Sequence, residues 1–205
     1  MIDIKTQYAG LTLRNPLIVG SSGLTNNAER NKEFEKAGAG AIVLKSLFEE
    51  QIEMQSDILM QDSDYPEAAD YIRGYVKANQ INDYLELIQK TKELCTIPVI
   101  ASINCYKSDA WIEFARQIEL AGADALELNV FLLETDLTYN SENMRDLYVS
   151  IIRKVKETVS IPVMIKMSKM VGNIPAVAHT LTVNGADGIV LFNRFYQPDI
   201  DINNM

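Results

Sequence analysis

Two lysines and three asparagines close apolar runs. Lys45 ends Ala41 to Leu44, Lys166 ends Val163 to Ile165, and Asn104, Asn129 and Asn193 end three further runs. An ammonium is a cation with three donors, and a carboxamide offers a donor and an acceptor. Such a set can hold a small anionic ring with amide edges. Either lysine could instead form a Schiff base with a carbonyl substrate, which is the chemistry of an aldolase-like lyase. Solvated strand-end lysines and asparagines that merely satisfy loop backbone are the plainer alternatives.

What positions these residues is a repeated phrase, a Gly-Ala pair leading into an apolar run with a polar end: GAGAIVLK from Gly38, GADALELN from Gly122 and GADGIVLFN from Gly185. Each glycine follows a helical pattern, where a left-handed cap is needed, and each run reads as a strand buried on both faces. Two more strands, Thr96 to Ile100 and Ser160 to Met164, place proline at their start, where a missing N–H is tolerated. Ser102 and Lys166 each lie four residues beyond that proline. Even offsets point the same way along a strand, so Ser102, Asn104 and Lys166 are expected to share one orientation at the C-terminal ends.

The full element reading is a hairpin over residues 2–14, then six strands: Leu17 to Gly20, Ala41 to Lys45, Val99 to Ile103, Ala125 to Asn129, one ending at Lys166 and one ending at Phe192. Helices are expected near Ala28 to Ala37, with Thr25 or Asn26 as N-cap, up to Leu94, from Ser108 or Asp109 to Leu120, from Ser141 to Val159, and from Ile174 to Val183. A loop excursion containing Pro66 precedes the second helix. The reading is a single domain over residues 1–205, an α/β fold of the TIM (β/α)8 type with about six βα units present. A complete barrel of this kind typically takes about 250 residues.

The chain has 205 residues, 47% of them hydrophobic and 23% charged, the profile of a soluble globular domain. A net charge of -9 provides no basic stripe for phosphates, so a nucleic-acid binder is not expected. No apolar run approaches the roughly 20 residues that span a bilayer, and the N-terminus lacks a signal-like segment, so a cytoplasmic location and no membrane association are expected. Cys95 and Cys105 lack metal-ligand spacing and are read as reduced thiols, and no metal site is expected. His179 and Trp111 fall in helical patterns and are read as structural.

Six segments in their order and spacing, LTLRNPLIVGSSG from Leu11, AGAGAIVLKS from Ala37, IPVIASIN from Ile97, AGADALELNV from Ala121, IPVMIKMS from Ile161 and GADGIVLFNRFYQPDID from Gly185, resemble the dihydroorotate dehydrogenase family of FMN flavoproteins. The resemblance implies FMN as cofactor and hydride transfer from dihydroorotate or a related dihydropyrimidine. It implies that Ser21, Ser22 and Gly23 lie against the flavin and that Lys45, with Ser46 beside it, reaches flavin and substrate. It also implies that Asn104 and Asn129 bond flavin or substrate, that Lys166 faces the flavin's N1 and O2 edge, and that Asn193 is the polar residue closing strand six.

The chain departs from the family at two places. The dihydroorotate enzymes carry a cysteine or serine base after strand four, and Leu132 stands at that position. Thr135, Glu134 and Cys105 are the nearby groups that could replace it. The loops after strands seven and eight, which hold the cofactor phosphate in such barrels, have no counterpart after strand six. A C-terminally incomplete barrel is therefore expected, with unpaired outer strands prone to self-association. A non-catalytic remnant is the second rival to the redox reading.

Overall fold

A computed structural model of the chain describes residues 2–61, 69–105, 108–130, 141–169 and 171–194. Strands β1 (Thr6–Tyr8) and β2 (Leu11–Leu13) form the expected antiparallel hairpin. Next come β3 (Ile18–Val19), a 3-10 turn at Gly23–Thr25, α1 (Ala28–Lys36), β4 (Ala41–Val43), β5 (Leu47–Phe48), α2 (Glu49–Gln61) and α3 (Ala69–Leu94). The chain continues through β6 (Val99–Asn104), α4 (Ser108–Leu120), β7 (Ala125–Asn129), α5 (Ser141–Lys156), β8 (Val163–Met167), α6 (Ile174–Val183) and β9 (Gly188–Leu191). The parallel sheet runs β3-β4-β6-β7-β8-β9, with β5 added beside β6. The six strands read from the sequence are thus present in one curved sheet, an α/β partial barrel. Among the described residues β3 and β9 are its outer strands.

The repeated phrase has a common physical job. Gly38, Gly122 and Gly185 all take positive φ, and after each helix the next two N–H groups turn back onto its last carbonyls, as in Ala39 N to Phe34 O at 3.0 Å. In two copies the following aspartate starts another strand: Asp124 accepts the Val99 N–H and Asp187 the Val163 N–H, each at 2.7 Å. Glu35 does the same service by accepting the Thr96 N–H and hydroxyl. Gly40 has a different need, because a Cβ there would lie 2.3 Å from the Asn15 carbonyl oxygen.

Strand alternation divides the apolar side chains in two. Ile42, Leu44, Ala101, Ile103, Leu126, Leu128, Val163, Ile165 and Met167 face the helices and form the larger core with Trp111, Phe114, Ile118, Tyr148 and Ile152. Ala41, Val43, Ile100, Ala125 and Met164 face the barrel interior, where Leu13, Tyr8 and Leu11 of the hairpin plug its base.

Three expectations need correction. The cap of α1 is Asn27, whose side chain accepts the Arg30 N–H, while Thr25 belongs to the preceding turn and is capped there by Ser22. Three polar residues in succession could each serve as cap, and packing of the turn selects the last. The stretches read as strands from Thr96 and Ser160 pair only from Val99 and Val163, one residue after the proline, which for the first is where the element reading of Val99 to Ile103 begins it. The excursion after strand two is a short strand and two packed helices, α2 and α3, on either side of residues 62–68, which contain Pro66 and lie outside the described residues. His179 is exposed on α6, Trp111 is buried, and both cysteines are free and buried.

Substituting Gly40→Ala forces the Asn15 backbone away and is expected to cost about 1–3 kcal/mol in urea denaturation. The Glu35 carboxyl is opposed by burial, but the Lys32 ammonium and the Thr96 donors outweigh that and hold it at about 2. A carboxyl lowered on folding stabilises above its unfolded value near 4.5 and loses that contribution as pH falls toward 2. Glu35→Gln should accordingly unfold at a lower temperature than wild type at pH 7, with the difference closing across that acid window.

Candidate functional site

The inward rows of the strands stack in layers, each two residues further along. Two residues beyond Ile100, Ala125 and Met164 on their own strands come Ser102, Glu127 and Lys166, and the stagger of β8 sets Lys166 one step higher than the other two. It stands there beside Asn129, at the mouth with Asn104. The shared orientation expected for Ser102, Asn104 and Lys166 is what the register produces, with Ser102 opposite Glu127 and Lys166 opposite Asn129. Ser102 itself lies deeper than a mouth residue and is fully buried.

The charged layer is a connected network. Ser21 and Ser46 hydroxyls are 3.1 Å apart, Ser46 and Ser102 hydroxyls 2.8 Å apart, and the Ser102 hydroxyl donates to Glu127 Oε1 at 3.0 Å. Lys166 Nζ lies 3.5 Å from the same carboxylate oxygen. Glu127 is 3% exposed, and its ion pair answers the cost of burying a carboxylate. From below, Tyr8 approaches: burial first and the Glu127 charge second push its phenol up to about 12, so it remains a neutral plug.

Two tyrosines brace the strands from the helix side. The Tyr84 hydroxyl of α3 accepts the Ser102 N–H at 2.8 Å and donates to the Ser102 carbonyl at 2.9 Å. It fills the gap on β6 between the β4 and β5 pairings. The Tyr148 hydroxyl of α5 donates to the Val130 carbonyl and accepts the Ser168 N–H, tying the ends of β7 and β8.

At the mouth, Asn104 donates to the Asn129 carbonyl at 2.7 Å, and the Asn193 amide donates to Asn129 Oδ1. A cavity of about 450 Å³ opens here, lined by Ser21, Ser22, Gly23, Lys45, Ser46, Asn104, Asn129, Lys166 and Asn193, with Phe48, Phe192 and Arg194 among the other walls. Every described residue assigned to the site from the sequence therefore lines one space. A second cavity of about 670 Å³, between β5, α2 and α3, shares Lys45, Ser46, Phe48 and Gln51 with the first and is walled by Asn26, Gln55, Asn79 and Tyr84. Leu132, Glu134 and Thr135 lie outside the described residues. Cys105 is not in the cavity lining, and burial, with Glu49 adding to it, pushes its thiol well above the ordinary range. Sequence reading missed Glu127, Tyr8 and the α2–α3 wall. An acidic residue inside GADALELN, a run otherwise buried on both faces, was the available signal for the first.

Among the described residues no cluster of side chains could hold a metal ion, and no helix is long and apolar enough to cross a membrane. No protein-family profile matches the chain. The catalytic subunit of dihydroorotate dehydrogenase B (NAD(+)) from Thermoplasma volcanium is 31% identical over 98% of this chain, and that from Methanocella arvoryzae 30% identical over the same share. The corresponding Bacillus thuringiensis subunit is 24% identical, again over 98%. The chain spans 65% of the length of each of these relatives. Among solved structures, phosphonopyruvate hydrolase superposes with a TM-score of 0.53 at 16% identity, covering 87% of this chain and 58% of that one. The dihydrodipicolinate synthase of Agrobacterium tumefaciens gives 0.52 at 12% identity, covering 84% and 52%. At those identities the likeness is one of fold, and it fits the α/β partial barrel.

Ser102→Ala removes only the hydroxyl and leaves the Glu127 and Ser46 oxygens without their shared partner. Chemical denaturation should register a loss of about 1–3 kcal/mol.

Proposed function

We propose that this chain, which resembles the dihydroorotate dehydrogenase family across nearly all of its length, is part of an FMN-dependent oxidoreductase acting on a dihydroorotate-like dihydropyrimidine. The observation that carries the reading is the convergence of two lysines, three asparagines and the Ser21-Ser22-Gly23 turn on one barrel mouth. The chemistry of that donor set fits a flavin's pyrimidine edge, which alternates carbonyl acceptors with an N–H donor: ammoniums and amide N–H groups supply the donors, amide oxygens the acceptor. Ser21, Ser22, Gly23, Lys45, Ser46, Asn104, Asn129, Lys166 and Asn193 are the residues proposed to hold the cofactor. When bound, FMN would supply a hydride acceptor.

The chain's own residues would do the rest. Lys166, oriented by its carboxylate partner, presents positive charge where a reduced ring accumulates negative charge. Lys45 stands between the two cavities and is proposed to meet the substrate carboxylate, while Asn129 and Asn193, bonded to each other, orient its amide edges. Phe48 and Phe192 narrow the access of water to the same space. The proton acceptor is not Cys105, whose thiol is buried away from the cavity, and Leu132 has no group for the task. The substrate proposed is therefore the dihydropyrimidine class, with dihydroorotate one member.

The relatives' names speak of NAD(+) and of a catalytic subunit, which supports NAD(+) as electron acceptor and assembly with a further subunit. A Schiff-base lyase is less well supported at Lys166, which is held in an ion pair rather than presented as a free amine.

Visible absorbance before and after FMN addition and desalting tests the proposal. A retained flavin spectrum is expected, bleached by a dihydropyrimidine under anaerobic conditions. Lys166→Met should weaken FMN binding about 10- to 100-fold, the value of a lost charged hydrogen bond. A folded chain that retains no flavin would overturn the reading.

A further inference from the structure

Lys166 and the serine chain share one anchor. Glu127 is 3% exposed and does not line the mouth cavity, so it touches no ligand there. All that it does reaches the cavity through other side chains. Lys166, 15% exposed, has the Glu127 carboxylate as its ion-pair partner at 3.5 Å. The other charged groups around the same cavity are Lys45, Glu50 and Arg194. Below and beside Glu127 stand the phenols of Tyr8 and Tyr84, both driven up by burial and, secondarily, by its charge, and both therefore neutral neighbours.

The carboxylate also gives the hydroxyl chain a direction. An ionised carboxylate only accepts, so the Ser102 hydroxyl spends its one proton on Glu127 at 3.0 Å. The Ser102 oxygen then receives the Ser46 proton across 2.8 Å, and the Ser46 oxygen receives the Ser21 proton across 3.1 Å. Ser21 also accepts the Ser46 N–H at 2.9 Å. Its proton is spent, and what Ser21 turns toward the cavity is a lone pair.

We infer that Glu127 is a positioning residue of the site: from beneath the cavity it fixes the Lys166 ammonium and polarises the Ser102, Ser46 and Ser21 hydroxyls, so that Ser21 meets a bound ring as an acceptor and pairs with an N–H or O–H. The inference deepens the proposed flavin site, yet its first half concerns this chain alone. A catalytic part for Glu127 is excluded by its place below the cavity. A purely structural part would be satisfied by any group of the same shape that accepts from Ser102.

Glu127→Gln is that group, retaining the shape and an acceptor while removing the charge. In the flavin-free protein, trace acetylation with acetic anhydride followed by mass spectrometry should label Lys166 severalfold faster in Glu127→Gln than in wild type, with exposed Lys36 as internal reference. Glu127→Asp, which keeps the charge, should restore slow labelling, and Glu127→Met, which also removes the charge and should label fast, replaces the glutamine variant if that one does not fold. In protein carrying FMN, the midpoint potential should rise in Glu127→Gln, because the Lys166 charge is no longer offset, and the rise should shrink in a Lys166→Met background. Unchanged labelling in a folded variant overturns the pairing with Lys166. An equal rise in both backgrounds overturns action through that lysine. Failure to hold FMN would overturn the proposed function and leave the labelling result to decide the role of Glu127.

Discussion

Everything about the site depends on one constraint: in a parallel strand every second side chain faces the same way, and adjacent strands in register bring those side chains to one level. Here the rule builds a barrel interior in layers. Ile100 and Ala125 make the apolar base, Ser102, Glu127 and Met164 stand level one step above, and Lys166 stands beside Asn129 at the rim with Asn104, from where it reaches Glu127 diagonally. The other row of each strand is apolar and meets the helices, so the sheet is anchored on its outer face while chemistry accumulates within. Shifting one strand by a single residue would exchange its two rows and put Glu127, for β7, or Lys166, for β8, against helices.

A charged layer inside a barrel is costly, and the surrounding structure shows how the cost is met. The carboxylate has a cation and a hydroxyl donor at its Oε1, and the hydrophobic hairpin beneath seals the base without exposing another charge. Tyr84 braces the strand backbone at the level of Ser102 and Tyr148 ties the ends of β7 and β8, each from outside and each using one hydroxyl as both donor and acceptor. These braces come from the helices, so the outer layer has a direct part in the geometry of the inner one. The repeated Gly-Ala turn does the corresponding work at the opposite end, ending each helix and, through Asp124 or Asp187, starting a neighbouring strand.

The α2–α3 pair gives the mouth a second wall and a second cavity. Lys45 and Ser46 stand on the boundary between the two spaces. A ligand at either side would meet the same ammonium, which makes this lysine the natural junction between a cofactor and a substrate. The larger cavity is walled by apolar side chains such as Phe48, Val76 and Leu87 together with the amides of Gln51, Gln55 and Asn79, a mixture that suits a ring with hydrogen-bonding edges.

The sequence by itself determined the strands, their order and most of the rim. Apolar runs of four or five residues, each with a Gly-Ala turn or a proline before it, carry their own conformational signals, and even spacing was enough to align Ser102, Asn104 and Lys166. It did not determine the exact cap of α1, because Thr25, Asn26 and Asn27 have equivalent chemistry and only packing of the turn chooses among them. Nor did it determine the helical hairpin around residues 62–68, whose helices are stabilised by packing on each other as well as by their own periodicity. Above all, only the tertiary structure decided what Glu127 does. A buried glutamate in a strand is a liability until a particular lysine and serine reach it, and those partners lie 39 and 25 residues away in the chain, brought close by strand pairing alone.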